Sequence, residues 1–188
     1  MSGPDWDRRY REGSYGATEG PHELLRRFWE ALPARGLIVD IAAGAGRDLL
    51  FLAGLGFRVC GLDRSWEALK LATSFFRQKG LELEAVQADA LRMPLKRGVF
   101  DGVLVFSFLE REIMGELVAL LKPGGVLFYE TFLKRQNEID RHRNPAFLLD
   151  DGELPGYFTD LERLFYEEGV FTMEGKRRAL ARYVGRKP

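Results

Sequence analysis

Apolar residues recur along this chain in two rhythms. Apolar-rich runs stand at Gly36–Ile41, Phe57–Asp63, Leu81–Gln87, Phe100–Phe106 and Val126–Phe132. Short, nearly continuous runs of this kind are typical of strands covered on both faces of a parallel sheet. Between them the spacing changes to three and four. His22–Leu32 has apolar residues at 24, 25, 28, 29 and 32, behind Pro21, a residue suited to a first helical turn. Arg47–Leu55 is helical in pattern and ends at Gly56. Ser65 is placed to cap a helix lined by Trp66, Leu69, Phe75 and Phe76, which stops at Gly80. Arg111–Leu121 predicts one more helix, and Lys122-Pro123-Gly124-Gly125 a turn before the fifth strand. Pro94 breaks a short connector, and 134–156 is polar with Pro145 and Pro155. Leu161–Glu167 and Lys176–Val184 then read as two strands joined around Gly169–Gly175. The alternation predicts an α/β fold: a mostly parallel seven-stranded sheet, helices on both faces, and an antiparallel C-terminal hairpin.

Composition narrows the function classes. The 188 residues are 46% hydrophobic and 30% charged, as expected of one globular domain and not of a disordered or low-complexity chain. Lys+Arg and Asp+Glu are both 28, and this balance disfavours a nucleic-acid-coating protein, which needs basic excess. Cys60 is the one cysteine, so an intrachain disulfide or cysteine-cluster metal site is excluded, no metal is expected, and a reduced, cytoplasmic setting is the default. No apolar run reaches the roughly 20 residues of a membrane span. The segment Met1–Asp7 lacks a signal-peptide core.

Ligands of open α/β sheets bind beyond the carboxyl ends of the strands. The predicted strands end, in order, near Asp40, at Asp63, near Asp89 and at Ser107. Three acids thus share one rim with the loop Ala42-Ala43-Gly44-Ala45-Gly46. A dinucleotide fingerprint needs a third glycine, but counting from Gly44 that position is Leu49. Asp40 and Asp48 would also repel a pyrophosphate. The rim suits a ligand with positive charge, or with hydroxyls and amines that donate to carboxylates.

The run Val39-Asp-Ile-Ala-Ala-Gly-Ala-Gly-Arg-Asp48 resembles motif I of class I S-adenosylmethionine-dependent methyltransferases. Gly61-Leu-Asp63 is similar to the second motif, Gln87-Ala-Asp-Ala90 to the third, and Leu120-Leu-Lys-Pro-Gly-Gly125 to the turn before the fifth strand. The motifs occur in order, with spacings of 23 from Asp40 to Asp63 and 26 from Asp63 to Asp89. Ala42 departs from the pattern, which commonly has glycine there; alanine is tolerable if its φ stays negative.

The resemblance implies a Rossmann-like fold and S-adenosylmethionine as cofactor, with S-adenosylhomocysteine as product. It puts Asp63 on the ribose hydroxyls, with Arg64 beside it, and Asp89 and Ala90 at the adenine. Gly44 and Gly46 would let the backbone approach the ligand, with Ala42 in the same loop. Asp40 would orient the loop and the amino end, and the helix start at Arg47 would hold the carboxylate. Phe106 is a candidate to flank the adenine or the acceptor. A narrower likeness, to small bacterial methyltransferases of the tellurite-resistance type, rests on Trp6-Asp-Arg-Arg-Tyr10, Phe100–Arg111, Glu130-Thr-Phe132 and Asn144–Leu149. It implies a small-molecule or oxyanion acceptor, Tyr10 and Tyr15 closing over the cofactor, and Arg111 facing the acceptor, with Ser107 and Thr131 as further candidates at strand ends.

On this reading 1–188 is a single domain. It comprises a leader and helix (1–35), a cofactor-binding core (36–132), a polar segment near the substrate (133–160) and a hairpin (161–188). A monomer or homodimer acting on a small molecule is expected, with catalysis mainly by positioning. Two alternatives stand beside it, a nicotinamide-dependent oxidoreductase and a cofactor-binding module without turnover. His22 and His142 are read as surface histidines, and Cys60 as core packing.

Overall fold

In the computed structural model, residues 5–13, 20–140, 143–173 and 175–188 are described. The sheet has seven strands: β1 (Leu37–Ile41), β2 (Arg58–Asp63), β3 (Glu84–Gln87), β4 (Phe100–Phe106), β5 (Leu121–Phe132), β6 (Glu162–Met173) and β7 (Lys176–Arg186). Their spatial order is β3-β2-β1-β4-β5-β7-β6. The first five pair in parallel. β7 enters antiparallel beside β5, and β6 forms the edge. The chain order reverses between β1 and β4, so the switch point lies between their carboxyl ends.

Alternation along the strands sorts the core into two layers. Val103 and Val105 of β4 join a cluster with Leu117 and Leu120. Leu104 and Phe106 face the opposite cluster with Leu25, Leu49 and Leu52. A strand buried on both sides needs apolar residues at both parities, and so its run is unbroken. The helices are α1 (Trp6–Arg11), α2 (Glu23–Phe28), α3 (Arg47–Gly54), α4 (Trp66–Gln78) and α5 (Met114–Leu120). As expected, Ser65 caps α4, its side chain accepting from the Ala68 N–H at 3.1 Å.

The outlines differ from expectation in a few places. The helix expected from Arg111 opens with a 3-10 turn, Arg111–Ile113, before α5. The helix expected over His22–Leu32 is α2 followed by the 3-10 turn Trp29–Ala31. β3 is shorter than its apolar pattern. β5 already begins at Leu121, which pairs with Phe100, while Val126 pairs with Gly102. The Lys122–Gly125 stretch therefore bulges out within the strand, with Gly124 at φ 80°. β6 and β7 both run past their expected ends. Among the described residues, no helix is long and apolar enough to cross a membrane.

Candidate functional site

Two non-glycine residues adopt left-handed backbone at the switch point. Ala42 follows β1 at φ 61°, and Ser107 follows β4 at φ 56°. Each costs on the order of 1–2 kcal/mol for an L-residue. Such strain concentrates where a ligand must be met. The condition of a negative φ at Ala42 is thus not met: the first position of the glycine loop keeps a glycine-like conformation although it carries a methyl group.

The loop hangs from Asp63. Gly44 N–H donates to Asp63 Oδ2 at 2.8 Å, and Ser65 N–H donates to Oδ1 at 2.8 Å. Asp63 is 8% exposed. Burial pushes its carboxyl up, against the pull of the backbone donors at Ser65, Gly44 and Arg64. A carboxylate offers about four lone-pair sites, so the described donors leave capacity for hydroxyls of a ligand. Asp40 is buried beside it and raised well above the carboxylate range by burial, and further by Asp48 and Asp63. Asp89 is exposed and accepts from Leu91 N–H at 3.0 Å, capping the 3-10 turn Ala90–Arg92.

The two loop glycines do different things. A Cβ on Gly44, whose φ is 56°, would lie 2.5 Å from the Tyr10 hydroxyl. A Cβ on Gly46, at φ 74°, would lie 3.1 Å from Ala72 Cβ and 3.5 Å from Phe76. At Gly46 the missing side chain lets α3 start against α4. Arg47 turns outward, donating from Nε to the Gly20 carbonyl at 2.8 Å.

The leader closes over this corner. Ser65 Oγ donates to Asp7 Oδ1 at 2.6 Å, and the Glu67 N–H donates to the same oxygen at 3.1 Å. These bonds hold the Asp7 carboxyl below its usual value. They set Tyr10 over Gly44, where the leader was expected to lie. Tyr15 and His142 lie outside the described residues.

The β4–β5 side of the rim holds groups that sequence reasoning missed. His22 is not a surface histidine: its side chain is 11% exposed. Its backbone N–H and its Nδ1 both reach the Asp48 carboxylate at 2.7 Å. Its ring lies flat on Phe106, with centroids 4.2 Å apart and planes 3° apart. One face of Phe106 is therefore taken by His22 and is closed to an adenine. Glu130 and Arg182 pair across β5 and β7, Nε to Oε2 at 2.9 Å, both buried. Burial raises the Glu130 carboxyl, opposed by His22 and Arg182. Arg182 also donates to Glu167 at 3.1 Å and lies over the Phe171 ring at 3.8 Å. A sequence signal existed for this pair, since opposite charges interrupt the apolar runs Val126–Phe132 and Ala179–Val184. None existed for His22 and Asp48, which are 26 positions apart.

Arg111 does not face an open acceptor site. Its Nε and one terminal nitrogen donate to Glu153 at 2.6 and 3.0 Å. The terminal nitrogens also donate to the Ala146 and Leu148 carbonyls at 2.9 and 3.0 Å. It braces the 144–157 segment, with Tyr157 donating to the same Glu153 at 2.6 Å. Thr131 is buried in β5, and Ser107 alone of the four acceptor candidates is exposed in the described structure.

Residues 38–125 match the family model described as a methyltransferase domain. Over that stretch the chain is similar to methyltransferase domains. The chain is 36% identical over 105 residues to a demethylmenaquinone methyltransferase of Thermus thermophilus, covering 52% of this chain and 47% of that protein. It is also 36% identical over 102 residues to a ubiquinone biosynthesis O-methyltransferase of Burkholderia orbicola, covering 50% and 43%. The chain thus spans about half the length of the curated relatives it matches. The methyltransferase fold extends to nearly the whole chain: TehB from Haemophilus influenzae superposes with TM-score 0.78 at 19% identity, over 97% of this chain and 67% of TehB. The strand order and the antiparallel β6–β7 pair belong to this fold, as the sequence predicts.

Proposed function

We propose that this protein transfers the methyl group of S-adenosylmethionine to a small-molecule acceptor, in the cytoplasm. The observation that carries the reading is the coincidence at the switch point. A buried Asp63 ends β2 and holds the Gly44 N–H, and strained backbone at Ala42 and Ser107 flanks the gap between β1 and β4. The site fits the cofactor: the carboxyl groups of Asp40, Asp63 and Asp89 offer acceptor oxygens to ribose hydroxyls and amine groups. When bound, the cofactor supplies an already activated methyl group. The chain then has to hold, orient and exclude water.

In this reading Asp63 takes the ribose, and Asp89 with Ala90 the adenine. Asp40, Gly44 and the start of α3 take the amino-acid end. Tyr10 closes the corner from α1. Acceptor chemistry falls to the β4–β5 side, around Ser107.

Isothermal calorimetry with S-adenosylhomocysteine tests the cofactor assignment, with binding expected in the micromolar range; no heat at high micromolar concentration rejects it. Turnover is tested on thiols, amines, phenols, tellurite and selenite, read as S-adenosylhomocysteine formed. Binding without turnover on any of them favours a module that binds the cofactor without transferring it. A change in NADH fluorescence on mixing favours an oxidoreductase.

A further inference from the structure

Proper placement of His22 is the strongest feature that the proposed function leaves unused. Asp48 grips it at two points, backbone N–H and Nδ1, both at 2.7 Å. A carboxylate at such a contact only accepts, so Nδ1 carries the hydrogen, and in the tautomer this selects the lone pair lies on Nε2. Phe106 fixes the ring plane. Among the described residues Nε2 has no hydrogen-bond partner, and the side chain retains some exposure. Phe106 ends β4 immediately before the strained Ser107, so the histidine stands at the switch point and not at a distant surface. An oriented imidazole, backed by a buried carboxylate and free on its outer nitrogen, has the arrangement of a general base.

We infer that His22 accepts the proton of the methyl acceptor, with Asp48 as the positioning residue behind it, and that the acceptor is a hydroxyl compound of the phenol or enol class. This rests on the methyl-transfer reading above. An oxyanion already carries its nucleophilic charge and gains little from a base. A neutral phenol must lose a proton as it reacts. The acceptor oxygen forms a bond to the methyl carbon while the carbon–sulfur bond breaks, its electron pair remaining on sulfur. The O–H proton passes to His22 Nε2, leaving its bonding pair on oxygen. The imidazolium then faces Asp48 on α3 and Glu130 on β5, with Arg182 on β7 and Glu23 on α2 beyond, so most of its nearby charges are favourable.

The test separates cofactor from acceptor. Calorimetry with S-adenosylhomocysteine comes first; failure there removes the methyl-transfer reading and the inference with it, before any histidine is measured. With that ligand bound, ring nitrogen-15 spectra are recorded in a His142→Asn background, which leaves His22 as the one histidine. Nδ1 is expected protonated and Nε2 unprotonated, and titration with catechol or 4-hydroxybenzoate is expected to move the Nε2 signal. A ring protonated on Nε2 instead, or an Nε2 signal unmoved by both phenols, overturns the inference. His22→Gln is expected to lower kcat on a methylated phenol about 100-fold, the scale of general-base assistance, with affinity for S-adenosylhomocysteine within about twofold. Asp48→Asn is expected to lower kcat about tenfold and to shift the tautomer toward Nε2–H. Unchanged kcat in His22→Gln overturns the assignment. The spectra of the native ring decide the matter even if that variant does not fold.

Discussion

The two halves of the rim are built by opposite means. On the β1–β2 side the floor of the rim lies close in sequence, with Asp63 holding the Gly44 and Ser65 N–H groups, 19 and two positions away, and only the leader's Asp7 reaches Ser65 from afar, across 58. On the β4–β5 side the groups arrive from far apart. His22 meets Asp48 across 26 positions, Arg111 meets Glu153 across 42, and Glu130 meets Arg182 across 52. A site made of turns is written locally, because glycine and a cap residue impose their geometry wherever they occur. A site made of paired strands and docked segments is specified only once the sheet has formed. The first half binds what the fold shares; the second is free to differ.

The largest test of this contrast is Arg182→Ala. It leaves Glu130 buried and unpaired, and removal of one partner of a buried pair costs about 3–5 kcal/mol. Urea denaturation is expected to show a loss of about 3 kcal/mol. A loss under 1 kcal/mol means that the acceptor side is not held by its long-range pair. Asp63→Ala acts on the other half. Loss of charge-assisted hydrogen bonds is worth about 1.5–3 kcal/mol, so affinity for S-adenosylhomocysteine is expected to fall at least tenfold. An unchanged Kd would take the ribose away from Asp63.

Acid acts with opposite signs on particular carboxyls of the rim. Glu153, bonded to Arg111 and Tyr157, has its carboxyl lowered to about 2 despite opposing burial. Its ordinary value is 4.5, so its contribution is present above that and is lost as pH falls from 4.5 toward 2. Asp40 and Asp63 are raised, so the folded state holds their protons more tightly than the unfolded chain, and acid stabilises them relative to it. Limited proteolysis between pH 5 and 3 should therefore show the 144–157 segment becoming susceptible first, and Glu153→Gln should remove that pH dependence. Simultaneous loosening of the whole chain would contradict the division. The smallest effect is a gain: Ala42→Gly relieves φ 61°, offset by the entropy of a freer unfolded chain, and should stabilise by about 1 kcal/mol in the same urea experiment.

Legibility in the sequence follows the same line. The sheet, its parallel order and its antiparallel tail are visible in the apolar runs, because a strand covered on both faces has no freedom to be polar. Asp63 and Gly44 stand where their motifs place them. The φ of Ala42 does not follow from residue type, since the loop needs the conformation whichever side chain is present. Arg111 looks like a helix-start residue with a free head group, and only the fold brings Glu153 under it. His22 lies in a stretch whose spacing speaks of a helix, and nothing local announces a carboxylate in α3.

The contact of Asp7 with the start of α4 has a kinetic meaning. Helix α4 is capped twice, by its own Ser65 and by Asp7 reaching in from the leader. When the leader lifts, Ser65 still satisfies Ala68, and water can serve Glu67, so α4 stays wound. The leader is thus a latch that can be released without unravelling what it fastens to. Departure of anything bound on Gly44 can be gated by the lifting of one short helix, while the floor beneath remains folded.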